Sequence, residues 1–219
     1  MNPLRSDLPP LPERIARLPV GANGYPIPWF VVWIDGQPEF RVADSAKYVL
    51  AVRQKLCWVC GEPLGAYLGF VLGPMCAVNR ISAEPPSHRE CAEFSLRSCP
   101  FLSKPQMVRR ENDRPDGNCA GVMIESNPGV SLLWMTKSRT RISAPGGMLF
   151  QVGDPTELRP YRFGRPATLA ELMTVFEERL PILREIAEKE GADAVACLET
   201  EAAKARQLFA RFVKEGMPA

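Results

Sequence analysis

The sequence predicts an α+β fold with a small antiparallel sheet in the middle of the chain and a helical hairpin at its C-terminus. Three observations lead to this prediction. Short segments rich in β-branched and aromatic residues alternate with turn sequences over residues 29–166. Apolar residues then recur at helical spacing over residues 167–219. Five of the seven cysteines lie together between positions 57 and 99, which indicates a structured centre.

Composition limits what the protein can be. The 219 residues are 46% hydrophobic and 24% charged, values that are ordinary for a globular chain and argue against global disorder. The 27 basic and 25 acidic residues leave a net charge of +2, which excludes a polycation of the histone type. The 22 prolines, about twice the average frequency, indicate much extended or looped chain. The single histidine, His88, excludes any site that needs two histidines.

The chain divides into three predicted parts. Residues 1–28 form a proline-rich arm, which we expect to pack along a surface in polyproline conformation. Residues 29–166 form the α+β domain, with a cysteine-rich segment at 57–103, and residues 167–219 form the helical hairpin. The first residues contain no apolar run of the secretory type, so we expect a reducing, cytoplasmic location. Residues 63–79 are uncharged but broken by glycine and proline, which predicts a buried hairpin and no membrane span.

The elements before the cysteine segment follow from turn and capping residues. Two β-rich runs, 29–34 and 37–42, are separated by an Asp-Gly pair, which is typical of a two-residue hairpin turn. Asp44 or Ser45 is suited to cap a helix that runs to about residue 56. After the cysteine segment the sequence predicts strands over 121–125, 130–136 and 148–152, a basic link over 137–141, and loops over 104–118 and 153–166.

The C-terminal part has clear helix signals. Thr168 and Glu171 have the spacing of a capping box, and apolar residues keep helical spacing from there to about Glu190. Gly191 is suited to end this helix. A second helix is predicted over about 193–214, so that the two form an antiparallel hairpin.

The cysteine segment contains two short pairs of metal-ligand residue types. Cys57 and Cys60 are separated by two residues and followed by glycine, a turn that brings both sulfurs to one point. His88 and Cys91 are separated by two residues, and Ser87 can cap a helix that starts there. Side chains three positions apart in a helix share a face, and a helix N-terminus favours the thiolate form of cysteine. Each pair is therefore suited to supply two ligands to a metal ion.

The order of a Cys-x-x-Cys turn, a hairpin and two ligands at a helix start resembles the treble-clef zinc fold, over about residues 57–99. The resemblance implies a closed tetrahedral Zn²⁺ site on Cys57, Cys60, His88 and Cys91, with the small antiparallel sheet organised around it. It implies no activity, because one fold serves many functions. The whole chain also resembles uncharacterised bacterial proteins of similar length, some encoded on mobile elements, and this resemblance supplies no activity either.

Other cysteines offer alternative ligands. Cys76 competes with the histidine for the fourth position. Cys99 lies eight residues beyond Cys91, about 12 Å along a continuous helix, and could share the ion only if the helix breaks. An iron–sulfur cluster that uses Cys76 or Cys99 is a further alternative. Cys119 and Cys197 are expected to be packing residues.

Two enzymatic interpretations involve the same segment. His88 and Glu90 resemble the His-x-Glu half of zinc-dependent nucleobase deaminases, but the Pro-Cys-x-x-Cys that such enzymes need downstream is missing, since Cys99 precedes Pro100. Endonucleases of the His-metal class also use a treble clef and need a catalytic histidine outside the zinc set. His88 could be that base only if Cys76 replaced it as a ligand.

Charge is uneven along the chain. Residues 80–165 hold 13 basic and 9 acidic residues, a net of +4, whereas residues 166–219 hold 7 basic and 10 acidic residues, a net of −3. The basic region could contact phosphate, or it could be a solvated surface balanced by nearby glutamates. The candidate nucleic-acid-binding residues are Arg80, Arg89, Arg97, Arg109 and Arg110, and Lys137, Arg139 and Arg141 follow a predicted strand.

These patterns lead to two hypotheses of function. The first is a zinc-stabilised cytosolic binding protein whose partner is a nucleic acid or another protein. The alternative is a zinc-dependent enzyme acting on nucleic acid or nucleobases, with His88, Glu90 or Cys76 near the reacting centre.

Overall fold

A computed structural model describes residues 2–105, 127–144 and 147–213 of the chain. These ranges contain both helices and strands, which confirms the predicted α+β class. The helices are α1 (Glu13–Ala16), α2 (Ser45–Gln54), α3 (Pro74–Asn79), α4 (Arg89–Ser98), α5 (Pro100–Ser103), α6 (Leu169–Glu190) and α7 (Ala192–Phe212). The strands are β1 (Val31–Ile34), β2 (Gln37–Ala43), β3 (Leu68–Leu72), β4 (Ile81–Ser82), β5 (Ser131–Thr136), β6 (Arg139–Ala144), β7 (Gly147–Val152), β8 (Pro155–Arg162) and β9 (Arg165–Pro166).

Within the described ranges the strands form three antiparallel sheets with the orders β1-β2, β3-β5-β8-β9 and β4-β7-β6. The prediction of a loop over residues 153–166 is wrong, because β8 pairs along the whole of β5. Pro155 stands at the first position of β8, where a proline costs no ladder hydrogen bond. Leu158 and Tyr161 are buried, and this burial outweighs the weak strand propensity of the segment.

The first hairpin and the helix after it are confirmed. Asp35 and Gly36, between β1 and β2, have φ values of 49° and 74°, which a type I′ turn requires at both central residues. The Asp44 side chain accepts hydrogen bonds from the backbone N–H groups of Ala46 and Lys47, at 2.9 and 3.1 Å. This cap satisfies amides that have no partner inside α2.

Two predictions for the middle of the chain are wrong. Residues 63–79 contain no hairpin: β3 pairs with β5, and Pro74 then begins α3 at a position where its missing N–H costs nothing. The basic segment 137–141 is a link only at its start, because β6 begins at Arg139 and pairs with β7. The predicted strand over 121–125, together with Arg109, Arg110 and Cys119, lies outside the described residues.

The C-terminal helices are confirmed and belong to the main hydrophobic cluster. The capping box of Thr168 and Glu171 is present, and Gly191 separates α6 from α7. Phe176 and Phe209 are buried in the same cluster as residues of β3, β5 and β7. The domain boundary predicted at residue 167 stays a prediction. Among the described residues, the two helices share the main hydrophobic cluster with the strands. No helix in the described part of the chain has the length and apolar character needed to cross a bilayer.

A second, smaller hydrophobic cluster surrounds the cysteines. Its buried members are Ile15, Cys57, Val59, Cys91 and Phe94. Ile15 comes from α1 in the N-terminal arm and is only 1% exposed. The arm is therefore more than a surface strip of polyproline, because one helical turn of it closes this cluster.

Candidate metal centre

The structure brings the two predicted ligand pairs together. One ligand atom from each of Cys57, Cys60, His88 and Cys91 lies within 4.8 Å of the other three. The sulfur of Cys60 is 3.4 Å from His88 Nδ1, and the sulfur of Cys91 is 4.0 Å from the same nitrogen. Tetrahedral zinc with ordinary bond lengths needs sulfur–nitrogen separations of about 3.5 Å. This Cys₃His set can therefore hold a metal ion with little movement.

The first pair sits in a tight turn between α2 and β3. The N–H of Cys60 points at the sulfur of Cys57, at 3.5 Å, and the N–H of Gly61 donates to the Cys57 carbonyl at 2.9 Å. Gly61 has a φ of 77°, and a Cβ there would lie 2.6 Å from Cγ of Trp29. Only glycine satisfies both the backbone conformation and the close packing. The turn is thus specified by its sequence.

The second pair lies at the start of α4. His88 occupies the N-cap position and Cys91 the first turn, so the prediction of Ser87 as the cap is wrong by one residue. Ser87 instead exchanges backbone hydrogen bonds with Gly69 of β3, at 2.7 and 2.8 Å. These bonds fix the start of α4 against the sheet. The N–H of His88 then points at the sulfur of Cys57, at 3.4 Å.

The histidine ring is oriented by a backbone carbonyl. Nε2 of His88 is 3.0 Å from the carbonyl oxygen of Pro63, to which it donates as Nε2–H. That hydrogen bond leaves Nδ1 as the nitrogen that faces the three sulfurs. A ligand histidine normally has its other nitrogen held in this way, which sets the tautomer.

Hydrogen bonds among the four side chains shift the pKa of each of them. Burial opposes ionisation of Cys57, but hydrogen bonds from Cys60, Cys91 and His88 lower the pKa of its thiol far below the ordinary value. The hydrogen bond to Cys57 raises the pKa of the Cys60 thiol to about 11 and also raises the pKa of the Cys91 thiol. The same partner raises the pKa of His88 against the opposing effect of burial. A divalent cation displaces such shared protons when it binds thiolates.

An outer layer of charge comes from the N-terminal arm. Nη1 of Arg14 lies 2.8 Å from Glu90 of α4, and its Nε lies 2.9 Å from Glu62, just after the first pair. Arg17 also contacts Glu62, at 3.1 Å. Arg14 is not among the residues that the sequence predicts for the site, because no local pattern connects position 14 with the cysteines. Glu90, one of the candidate catalytic residues, is engaged in this ion pair.

No protein-family model, curated protein or solved structure matches this chain. The treble-clef resemblance and the resemblance to bacterial proteins therefore remain predictions. The hairpin expected between the ligand pairs is not formed in the fully described stretch 57–91, because β3 pairs with β5 and β4 with β7. What the structure establishes is the Cys₃His cluster itself.

The alternative ligands lie outside the cluster. Cys76 is an exposed residue of α3, and Cys99 occupies the N-cap position of α5 without a side-chain capping hydrogen bond. Burial of the sulfur raises the pKa of the Cys76 thiol, which disfavours the thiolate form that a nucleophile needs. Cys197 is exposed on α7, so the expectation that it is a packing residue is wrong.

The candidate nucleic-acid-binding arginines that the structure describes are bound to carboxylates. Arg80 lies 2.9 Å from Asp154 and Arg97 lies 3.1 Å from Glu93. Arg89 donates to Glu157 at 2.6 Å. Each guanidinium would have to exchange its carboxylate for a phosphate, so this surface matches the alternative of balanced charge. Arg109 and Arg110 lie outside the described residues.

Proposed function

We propose that the protein is a binding protein whose central segment is held in shape by one structural zinc ion on Cys57, Cys60, His88 and Cys91. The observation that carries the proposal is the mutual approach of four ligand atoms within 4.8 Å. Three sulfurs and one imidazole are a donor set that suits zinc, which prefers tetrahedral nitrogen and sulfur ligands.

The donor set favours a structural ion over a catalytic one. Catalytic zinc sites keep one position open for water or substrate, whereas structural sites fill all four positions with protein ligands. Here Cys57 and Cys91 are fully buried, which leaves little room for a substrate on that side. The enzymatic hypothesis gains nothing from the described residues, since His88 belongs to the cluster and Glu90 is paired with Arg14.

Zinc would join segments that hydrophobic burial joins only weakly. The cluster around the cysteines has few buried apolar residues, and two of its five buried members are the ligands Cys57 and Cys91. One ion would connect the turn at 57–61 to α4 and hold the arm residue Ile15 against both. Metal-binding energy of this kind becomes folding energy, because the unfolded chain has no preformed site.

The proposal of a binding role rests on the state of the candidate catalytic residues. Of the candidate catalytic residues, His88 belongs to the ligand cluster and Glu90 pairs with Arg14. The raised pKa of the third, Cys76, disfavours the thiolate form that a nucleophile needs. We propose that the partner is a nucleic acid or another protein.

The experiment is metal analysis of the full-length protein purified without chelators. We expect about one zinc per chain, and Cys60→Ser and Cys91→Ser should lose the metal and several kcal/mol of unfolding free energy. Cys197→Ser, an exposed cysteine on α7, is the matched control and should keep both. Iron with visible absorption would identify a cluster instead, and a metal-free wild-type protein of full stability would overturn the proposal.

A further inference from the structure

Basic residues lie just before and within β6, the outer strand of the β4-β7-β6 sheet. Among the described residues, no carboxylate lies within ion-pairing distance of Lys137, Arg139 or Arg141. The nearby carboxylate of Asp154 is held by Arg80, at 2.9 Å. These three cations therefore differ from Arg80, Arg89 and Arg97, which are paired with carboxylates.

The register of the sheet places the two arginines side by side. Arg139 lies opposite Val152 and Arg141 opposite Phe150, so both side chains are on the same face of β6, about 7 Å apart along the strand. The guanidinium of Arg139 is 4.9 Å from the ring of Phe150. Burial, and then the charge of Arg141, lower the pKa of Arg139. Two cations thus face the same way, and the first of them, Arg139, is partly desolvated. The described residues place no carboxylate beside either, an arrangement that an anion stabilises.

An exposed aromatic ring lies next to Lys137, two residues before Arg139. Tyr67 is 52% exposed and immediately precedes β3, whose first residue, Leu68, pairs with Thr136. That pairing brings Tyr67 beside Lys137, whose Nζ lies 5.0 Å from the centre of the ring. We refer to Tyr67, Lys137, Arg139 and Arg141 together as the basic strip.

We propose that the basic strip binds single-stranded nucleic acid, with phosphates on the three cations and a base stacked on Tyr67. The inference rests on the proposed function and names its partner. Single-strand binding combines a row of cations that follows the backbone with aromatic rings that stack on bases. A duplex has no free base face to offer the ring, and an acidic peptide would not need it. The strip therefore fits a single strand better than either.

A competing explanation of these charges is protection of the sheet edge, and the test must distinguish it from nucleic-acid binding. Charged side chains that point inward on an edge strand prevent one sheet edge from pairing with another. On that interpretation, removal of the charges would cause self-association, and nucleic-acid binding would not depend on the strip.

The test measures binding of fluorescent oligo(dT) and of mixed single-stranded RNA to the full-length, zinc-loaded protein by fluorescence anisotropy at 50 and 200 mM salt. Lys137→Gln/Arg139→Gln/Arg141→Gln should weaken binding at least 10-fold. It should also reduce the slope of log K against log salt by about 2, since each single-strand phosphate contact contributes about 0.7. Tyr67→Ala should weaken binding about 10-fold and leave the salt slope unchanged.

The matched control removes the same charge elsewhere. Arg53, Lys189 and Arg211 are exposed, and none forms an ion pair within the described part of the chain. Arg53→Gln/Lys189→Gln/Arg211→Gln should bind within 2-fold of wild type. Equal binding by the two triple variants would overturn the proposal, and so would a wild-type protein that binds neither oligonucleotide.

Three further readouts separate the remaining outcomes. Self-association of the strip variant in light scattering, with unchanged binding, would assign the charges to protection of the edge and overturn the proposal. Competition by polyglutamate or duplex DNA as strong as by oligo(dT) would also count against it. Zinc content is measured for every variant. A strip variant that loses nucleic-acid binding while it keeps its full zinc content supports the role of the strip independently of the zinc site. Strip-dependent binding by a wild-type protein that contains no zinc would overturn only the proposed zinc site.

Discussion

Arg14 and Glu90 are separated by 76 positions in the chain, and their side chains meet at 2.8 Å beside the cysteine cluster. The same guanidinium reaches Glu62, which follows the first ligand pair. One side chain of the arm thus joins the two segments that supply the ligands. The arm is therefore part of the candidate metal centre, and changes in the arm should affect metal binding there.

Arg14→Gln should release zinc faster. Loss of the cation removes the ion pair of Glu90 and leaves Glu62 with Arg17 alone. We therefore expect metal affinity to fall about 10-fold, the lower end of the range for outer groups around metal ligands. Zinc transfer to a coloured chelator measures this. Arg5→Gln is the control, because Arg5 lies in the same arm but pairs with Asp7. Equal transfer rates for the two variants would show that Arg14 has no role at the site.

Ile15→Ala should destabilise the centre through lost packing. Ile15 is 1% exposed in the small cluster, and truncation of a buried isoleucine costs about 2–5 kcal/mol. Urea unfolding in zinc-containing buffer gives the free energy. Val49→Ala, at a position that is 45% exposed on α2, should change it by less than about 0.5 kcal/mol. A similar small change for Ile15→Ala would mean that the arm does not pack there in solution.

Gly61→Ala should disrupt the first ligand pair. The φ of 77° is costly for alanine, by about 1–3 kcal/mol, and the new methyl group would collide with Trp29. We expect a lower melting temperature and weaker zinc retention. Gly65→Ala is the matched control, since a Cβ there meets nothing within 4 Å. If both variants have the same melting temperature as wild type, the turn does not require glycine at position 61.

Acid should weaken the start of α6 through Glu171. Hydrogen bonds from Arg165 and from the backbone of Thr168 lower the pKa of Glu171 from its ordinary 4.5 to about 2. Because the folded pKa is the lower one, the ionised carboxylate stabilises the fold above about pH 4.5, and this contribution disappears as the pH falls towards 2. Melting temperature against pH between 5 and 2.5 should therefore fall less steeply for Glu171→Gln than for wild type.

A control in the same helix isolates the effect of the cap. Glu188 is exposed near the end of α6, and its side chain forms no ion pair among the described residues. Glu188→Gln should keep the wild-type dependence on pH. An identical acid profile for all three proteins would contradict the assigned ion pair between Glu171 and Arg165.

The sequence by itself determined the features that depend on neighbours a few residues away. The hairpin turn at Asp35 and Gly36, the Asp44 cap and the capping box at Thr168 are all set by backbone groups within four positions. The two ligand pairs belong to this class, because each is built inside one turn. Their assembly into one cluster was predicted through a resemblance and is present in the structure.

Tertiary structure alone decided the pairings between distant segments. Residues 155–162 form a strand because β8 pairs with β5, and β3 pairs with β5 where a local hairpin was expected. The same holds for charge: Arg89 meets Glu157, 68 positions away, whereas Arg139 and Arg141 meet no described carboxylate. Strand pairing and charge neutralisation depend on which distant groups the fold brings within a few ångströms, and no local pattern carries that information.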